Sequence, residues 1–204
     1  MTRVTLEDHR ALLQACRACP AMEGKPVTGF VPGARVLLVG QAPGPREEGE
    51  GRPFAYTAGK RLFSWFVSIG ADERAVRDHV HIGAVARCFP GRSPAGGDRV
   101  PSPDEIARCG AHLDREIQIL EPELVISVGT LAAGVLLGET ELAKVVGRKH
   151  RAARAGRGFD VIALPHPSGR STWLNRDGNR ALLEKSLALI AKHPAWPGRG
   201  TKTV

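Results

Sequence analysis

The 204-residue sequence predicts a single three-layer α/β/α domain built on a central four-stranded, mostly parallel sheet. Three observations carry this expectation. Short apolar runs at 36–39, 124–126 and 161–164 stop at turns or at polar residues. Unbroken apolar runs of this length read as strands buried on both faces. Helix-length segments separate them, and strands alternating with helices give a parallel sheet covered on two sides. No internal repeat or linker divides the chain, whose length suits one compact domain.

Thr5 caps a first helix over about 5–15, with Leu6, Leu12 and Leu13 as its apolar side. Cys16-Arg17-Ala18-Cys19-Pro20 follows as a tight turn, and 20–34 is irregular and rich in Gly and Pro. Strand one covers about 35–39, and the loop 40–57 leads into a helix over about 58–69 carrying Leu62, Phe63, Trp65, Phe66 and Ile69. A short helix at 71–79 precedes strand two, about 80–87, which ends at Cys88. After a Gly-, Pro- and Arg-rich loop at 89–101, Ser102-Pro103-Asp104-Glu105 is a capping box with proline at the first helical position. The helix it opens runs to about 120 and carries Cys109. Strand three is 124–128, followed by helices near 131–137 and 140–147. Residues 148–158 read as a loop holding Arg148, Lys149, Arg151, Arg154 and Arg157. Strand four is 161–164, the loop 165–178 follows, and 179–192 is the closing helix. The domain is expected to end at 193, with 194–204 a disordered tail.

The net charge of +8 rests on 29 Lys and Arg against 21 Asp and Glu. Most of these cations are Arg, whose planar fork matches phosphate, so a nucleic-acid partner is a fair expectation. No apolar run approaches the ~20 residues of a membrane-spanning helix. The amino terminus lacks the basic-then-apolar layout of a secretory signal, so a cytoplasmic location is expected.

The chain has four cysteines, Cys16, Cys19, Cys88 and Cys109, the first two as C-x2-C. In a cytosolic chain this points to metal or cluster ligation before disulfides. Zinc and [4Fe–4S] both accept four thiolates, so spacing separates them poorly. A redox pair and ordinary buried thiols are the other readings.

Two stretches share one design. Val36-Leu37-Leu38-Val39-Gly40-Gln41-Ala42-Pro43-Gly44 is followed by Gly51-Arg52-Pro53-Phe54, and Val161-Ile162-Ala163-Leu164 runs into Pro165-His166-Pro167-Ser168-Gly169. Each is a buried strand delivering a stiff loop to the carboxyl edge of a sheet, where ligands bind. They are expected to be two walls of one pocket.

These residues resemble the motifs of the uracil-DNA glycosylase superfamily, and the four cysteines resemble its iron–sulfur branch, the family 4 type. The likeness covers about 10–192. It implies removal of a deaminated base, most of all uracil, from DNA by a monofunctional DNA N-glycosylase. It also implies a [4Fe–4S] cluster on Cys16, Cys19, Cys88 and Cys109, with zinc as the alternative. DNA, single- or double-stranded, is the implied partner of a chain expected to act as a monomer.

Such an enzyme must extrude its nucleotide into a pocket. Phe54 is the expected stacking platform. His166 is expected to stabilise the departing base anion, as an oxyanion hole does. Gln41 stands where the family pattern has Glu; it can orient water or bond the base edge, with Ala42 beside it, but it cannot act as a base. Glu47, followed by Glu48, is the candidate water activator. Ala84 stands where relatives carry an Asn that reads the uracil edge, so hypoxanthine or xanthine enters as a possible substrate. Ser168, Arg170 and Trp173 are the expected DNA contacts, with Arg170, Trp173 or Leu174 as the wedge that fills the vacated stack. The cations of 148–158 are candidates for phosphate contact. Two further readings stand beside the enzyme: a degenerate DNA-binding module of the same fold, and an enzyme of free nucleotides or nucleosides.

Overall fold

The computed structural model describes residues 4–169 and 171–197. Five strands, β1 (Val36–Gly40), β2 (Val80–Ala84), β3 (Leu124–Val128), β4 (Lys149–Arg154) and β5 (Arg157–Leu164), form one sheet in the order β2-β1-β3-β5-β4. The first four in that order are parallel. Gly40 pairs with Ala84, Val39 with Ser127 and Val128 with Leu164, so the four parallel strands end level at the carboxyl edge.

The helices are α1 (Leu6–Ala15), α2 (Glu47–Glu50), α3 (Thr57–Val67), α4 (Glu73–His79), α5 (Pro103–Leu120), α6 (Thr130–Leu137), α7 (Leu142–Val145) and α8 (Asn179–Lys192). The expected Ser102–Glu105 capping box forms, and Thr5, expected as a cap, makes a second box with Asp8. Alternate strand residues supply the two cores. Val36, Leu38, Ile126 and Ile162 pack on one face with Leu62 and Phe66 of α3 and Leu187 and Ile190 of α8. Leu37, Val39, Val125 and Val161 pack on the other with Leu113 and Ile117 of α5 and Ala132 of α6. Among the described residues, no helix is long and apolar enough to cross a membrane.

The expected four-stranded sheet is therefore corrected to five strands, because the basic stretch 148–158 is not a loop. Lys149–Arg154 pairs antiparallel with Arg157–Leu164, and the Ala155-Gly156 turn has positive φ at both residues, 52° and 76°. Two positive φ values mark the hairpin turn that follows the natural strand twist, usually announced by Asn-Gly or Asp-Gly. An edge strand of alternating charge resists pairing with other chains, which also disguises it as a loop. Its cations are engaged: Lys149 and Arg151 with Asp160, Arg154 with Asp114, and Arg157 with Glu121. At the other end, packed chain continues past 193. Trp196 is buried, its ring 4.9 Å from that of Phe66. Residues 198–204 lie outside the described residues.

A buried polar group sits between α1, β2 and α5. Glu116 is fully enclosed and accepts from Arg87 Nη2. His9 and His81 point Nε2 at its other oxygen from 3.6 and 3.5 Å. His81 Nδ1 accepts from the Val31 amide, which leaves the ring proton on the side facing Glu116. The Arg87 guanidinium holds the Glu116 carboxyl well below the usual range, against burial. Gly83 is glycine for the same reason, since a Cβ there would lie 2.2 Å from Arg87 Nη1.

Candidate active site

The carboxyl edge of the sheet opens into a cleft of about 540 Å3. Gln41, Ala42 and Glu47 line it from the β1 loop, Phe54 from the turn before α3, Ala84 from the end of β2, and His166 and Ser168 from the loop after β5. The two stretches expected to form two walls thus meet, although β3 lies between their strands. Gly129 makes this possible. It follows β3 with φ of 90°, and a Cβ on it would lie 3.3 Å from His166 Cδ2, so the imidazole packs where a side chain would otherwise stand.

Phe54 is held in place from three sides. Its φ is 55°, a left-handed conformation that costs a bulky residue energy. Arg77 donates to the carbonyls of Pro53 and Phe54 at 3.1 and 3.2 Å and lies 4.6 Å from the Phe63 ring centre. Gly59 lets the Phe54 carbonyl approach α3, and Gly40 lets the outer edge of the ring approach β1.

His166 is half-buried. Its Nδ1 accepts from the Ser168 amide at 3.2 Å, so the neutral ring carries its proton on Nε2. Burial pushes its pKa below the ordinary value, with only the charge of Asp98 pulling the other way. A neutral imidazole with one fixed N–H is a hydrogen-bond donor that does not need to titrate.

Glu47 has a different setting from the one its sequence position implies. Its carboxylate accepts from the Gly44 and Ala55 amides at 3.4 and 3.3 Å, bridging the β1 loop to the Phe54 turn. Burial pushes its pKa up while these amides pull it down. The 89–101 loop supplies lining residues that sequence reading did not single out: Pro90, Gly96, Gly97, Asp98 and Val100. No periodicity or motif marks them; they reach the cleft only through the path of the loop. Trp173 and Leu174 are packed side chains, Trp173 beside Ala133 and Leu142 and Leu174 against the α8 core. Arg170 lies outside the described residues.

The four cysteines surround a separate cavity of about 230 Å3, with Arg17, Arg87, Arg108 and His112 on its walls. None is in a disulfide, and all are partly buried. Cys16 ends α1, Cys109 sits on α5, and the Glu23–Phe89 and Val27–Arg87 backbone bonds, both 2.8 Å, hold the segments that carry Cys19 and Cys88. Burial, and then the three neighbouring thiols, push Cys88 up to about 12. Among the described residues, no three His, Cys, Asp or Glu side chains converge as ligands of one ion. The four thiols line one cavity, a donor set that both zinc and a [4Fe–4S] cluster accept.

Comparison with known proteins agrees with this geometry. The uracil DNA glycosylase superfamily model matches residues 28–190. A type-4 uracil-DNA glycosylase of Archaeoglobus fulgidus is 32% identical over 174 residues, 80% of this chain and 82% of that protein. One from Sulfurisphaera tokodaii is 30% identical over 207 residues, 97% of this chain and 88% of its own. One from Thermotoga maritima is 30% identical over 161 residues, 76% and 78% of the two chains.

Proposed function

Because the chain belongs to the uracil DNA glycosylase superfamily, we propose that it is a monofunctional DNA N-glycosylase that removes uracil from DNA and leaves an abasic site. The observation that carries this reading is the meeting of Phe54, Gln41 and a neutral His166 in one cleft. A flipped base stacks on the Phe54 ring. As the glycosidic bond breaks, its electron pair passes to the base, and charge collects on the base carbonyl oxygen next to the bond. The His166 Nε2–H donates to that oxygen from a position fixed before reaction, so little reorganisation is needed as the charge develops. Gln41 bonds the base edge through its amide, with the backbone at Ala42 beside it. Water then adds to the oxocarbenium-like sugar carbon. Among the described lining residues there is no lysine, so no amine is placed to form a Schiff base.

Cys16, Cys19, Cys88 and Cys109 hold a [4Fe–4S] cluster on this reading, with zinc the alternative. The cluster ties α1 to α5 and to the end of β2, and it takes no part in base chemistry. DNA, single- or double-stranded, lies over the cleft mouth as the partner of a monomer in the cytoplasm. The 168–175 loop meets the DNA through Ser168 and Arg170, with Trp173, expected as a contact, packed beneath it. Gln41 and Ala84 favour one competing reading, a module that binds DNA without cutting it, because the Glu and Asn of the family pattern are both missing.

The test is base release from oligonucleotides that each carry one uracil, hypoxanthine or xanthine. Release at uracil supports the assignment and shows that Gln41 and backbone groups discriminate the base without an Asn at 84. Release only at a purine lesion changes the substrate, and binding without release selects the module. For the cluster, about four irons per chain and a broad band near ~400 nm are expected in anaerobically purified protein.

A further inference from the structure

Gln41 cannot accept a proton from water, and the cleft offers two carboxylates that can. Among the described lining residues these are Glu47 and Asp98. The two are not equivalent. Each Glu47 oxygen accepts a backbone amide, from Gly44 and Ala55, which ties it to the wall that carries Phe54. Asp98 lies on the 89–101 loop and shares the cleft with the imidazole of His166.

That loop is built to hold Asp98 still. Residues 93–97 close a tight turn, with the Ser93 amide donating to the Gly97 carbonyl at 2.9 Å and positive φ at Gly96 and Gly97. Arg92 bridges across it and donates to Asp98 Oδ1 at 3.1 Å. The next residue, Arg99, makes a two-pronged bond to Glu105 at 2.7 and 2.6 Å, and also donates to the Ala21 carbonyl. Glu105 is buried in the first turn of α5, so the loop is pinned to a long helix. The Asp98 side chain is 39% exposed, enough for solvent to reach it.

Building on the glycosylase reading above, we infer that Asp98 is the carboxylate that orients and deprotonates the attacking water. The C1′–N bond breaks and its electron pair leaves with the base. The water oxygen forms the new bond to C1′, and one water proton passes to the Asp98 carboxylate and on to solvent. The negative charge of Asp98 also stabilises the positive sugar, the role a carboxylate plays in glycoside hydrolysis. Glu47 is then a positioning residue that holds the Phe54 turn.

The experiment pairs two measurements on the holoprotein: single-turnover base release, and equilibrium binding to an oligonucleotide with an uncleavable abasic analogue. D98N is expected to slow release by about 10²–10⁴-fold, the usual contribution of a positioned base, with binding within threefold of wild type. D98A is expected to regain part of its rate with added formate, a readout that a merely structural role does not move. Release by D98N within threefold of wild type overturns the inference, as does a rate loss in D98A that formate leaves untouched while binding weakens in parallel. Failure of the wild-type protein to release any base removes the glycosylase reading itself, an outcome visible before any variant is compared.

Discussion

Gly59→Ala tests how the cleft positions its aromatic platform. A Cβ at 59 would fall 1.7 Å from the Phe54 carbonyl oxygen and 2.5 Å from its carbonyl carbon. Ordinary contact begins near 3.4 Å, so the Phe54 backbone and helix α3 must separate by well over an ångström. The carbonyl cannot move freely, because Arg77 donates to it and to Pro53. The displacement therefore passes to the ring. Stacking of a base on an aromatic contributes about 1–3 kcal/mol. At 1.36 kcal/mol per tenfold, its loss slows base release by about 5- to 150-fold. Gly40→Ala is the graded control. Its Cβ would meet Phe54 Cζ at 3.1 Å, a few tenths of an ångström too close, so a smaller loss is expected. The assay is single-turnover release at uracil, with thermal unfolding followed alongside. Release by Gly59→Ala within twofold of wild type in a folded protein would refute the claim that Phe54 is held in place for stacking.

Further outcomes follow from the charges. Arg87→Met strands the Glu116 carboxylate in the core; losing one partner of a buried pair costs about 3–5 kcal/mol. At about 2–4 °C per kcal/mol for a chain of this size, the melting temperature should fall by roughly 6–20 °C. Because burial pushes His166 below its ordinary pKa, the imidazole stays neutral at pH 6.5 and above. Base release should therefore hold from pH 8 down to 6.5, and any limb due to His166 should lie below 6.5 in a pH–rate profile. Lys149→Ala with Arg151→Ala should leave the salt dependence of DNA binding unchanged, because both cations are engaged with Asp160. Each lost phosphate contact would instead lower the slope by about 0.9.

Much of the scaffold was legible because its signals are local. The apolar runs of β1, β3 and β5 marked buried strands, and the Thr5 cap and the Ser102 capping box marked helix starts to the residue. Gln41, Phe54, Ala84 and His166 could be brought together from sequence because each follows a strand or a Gly-Pro turn at the same sheet edge. Strand β4 was not legible: its pattern is polar on both faces, and its turn places Ala155 at positive φ, where Asn or Asp would have given the hairpin away. Trp196 was assigned to a tail by its Pro and Gly neighbours, and only tertiary packing on Phe66 shows otherwise. Asp98 lay in a loop with no periodicity, and the clamp of Arg99 on Glu105 that fixes it spans a distance no local pattern encodes.

The most direct measurement is single-turnover base release at uracil by wild type and His166→Ala, with binding to an uncleavable abasic analogue measured in parallel. Removing a preorganised donor to a developing oxyanion costs about 10²–10³ in rate. Release by the wild type, a loss of that size in the variant, and little-changed binding are the expected results. Equal release by both proteins would contradict the role given to the Ser168–His166 pair. No release by either, with DNA still bound, would contradict the enzyme.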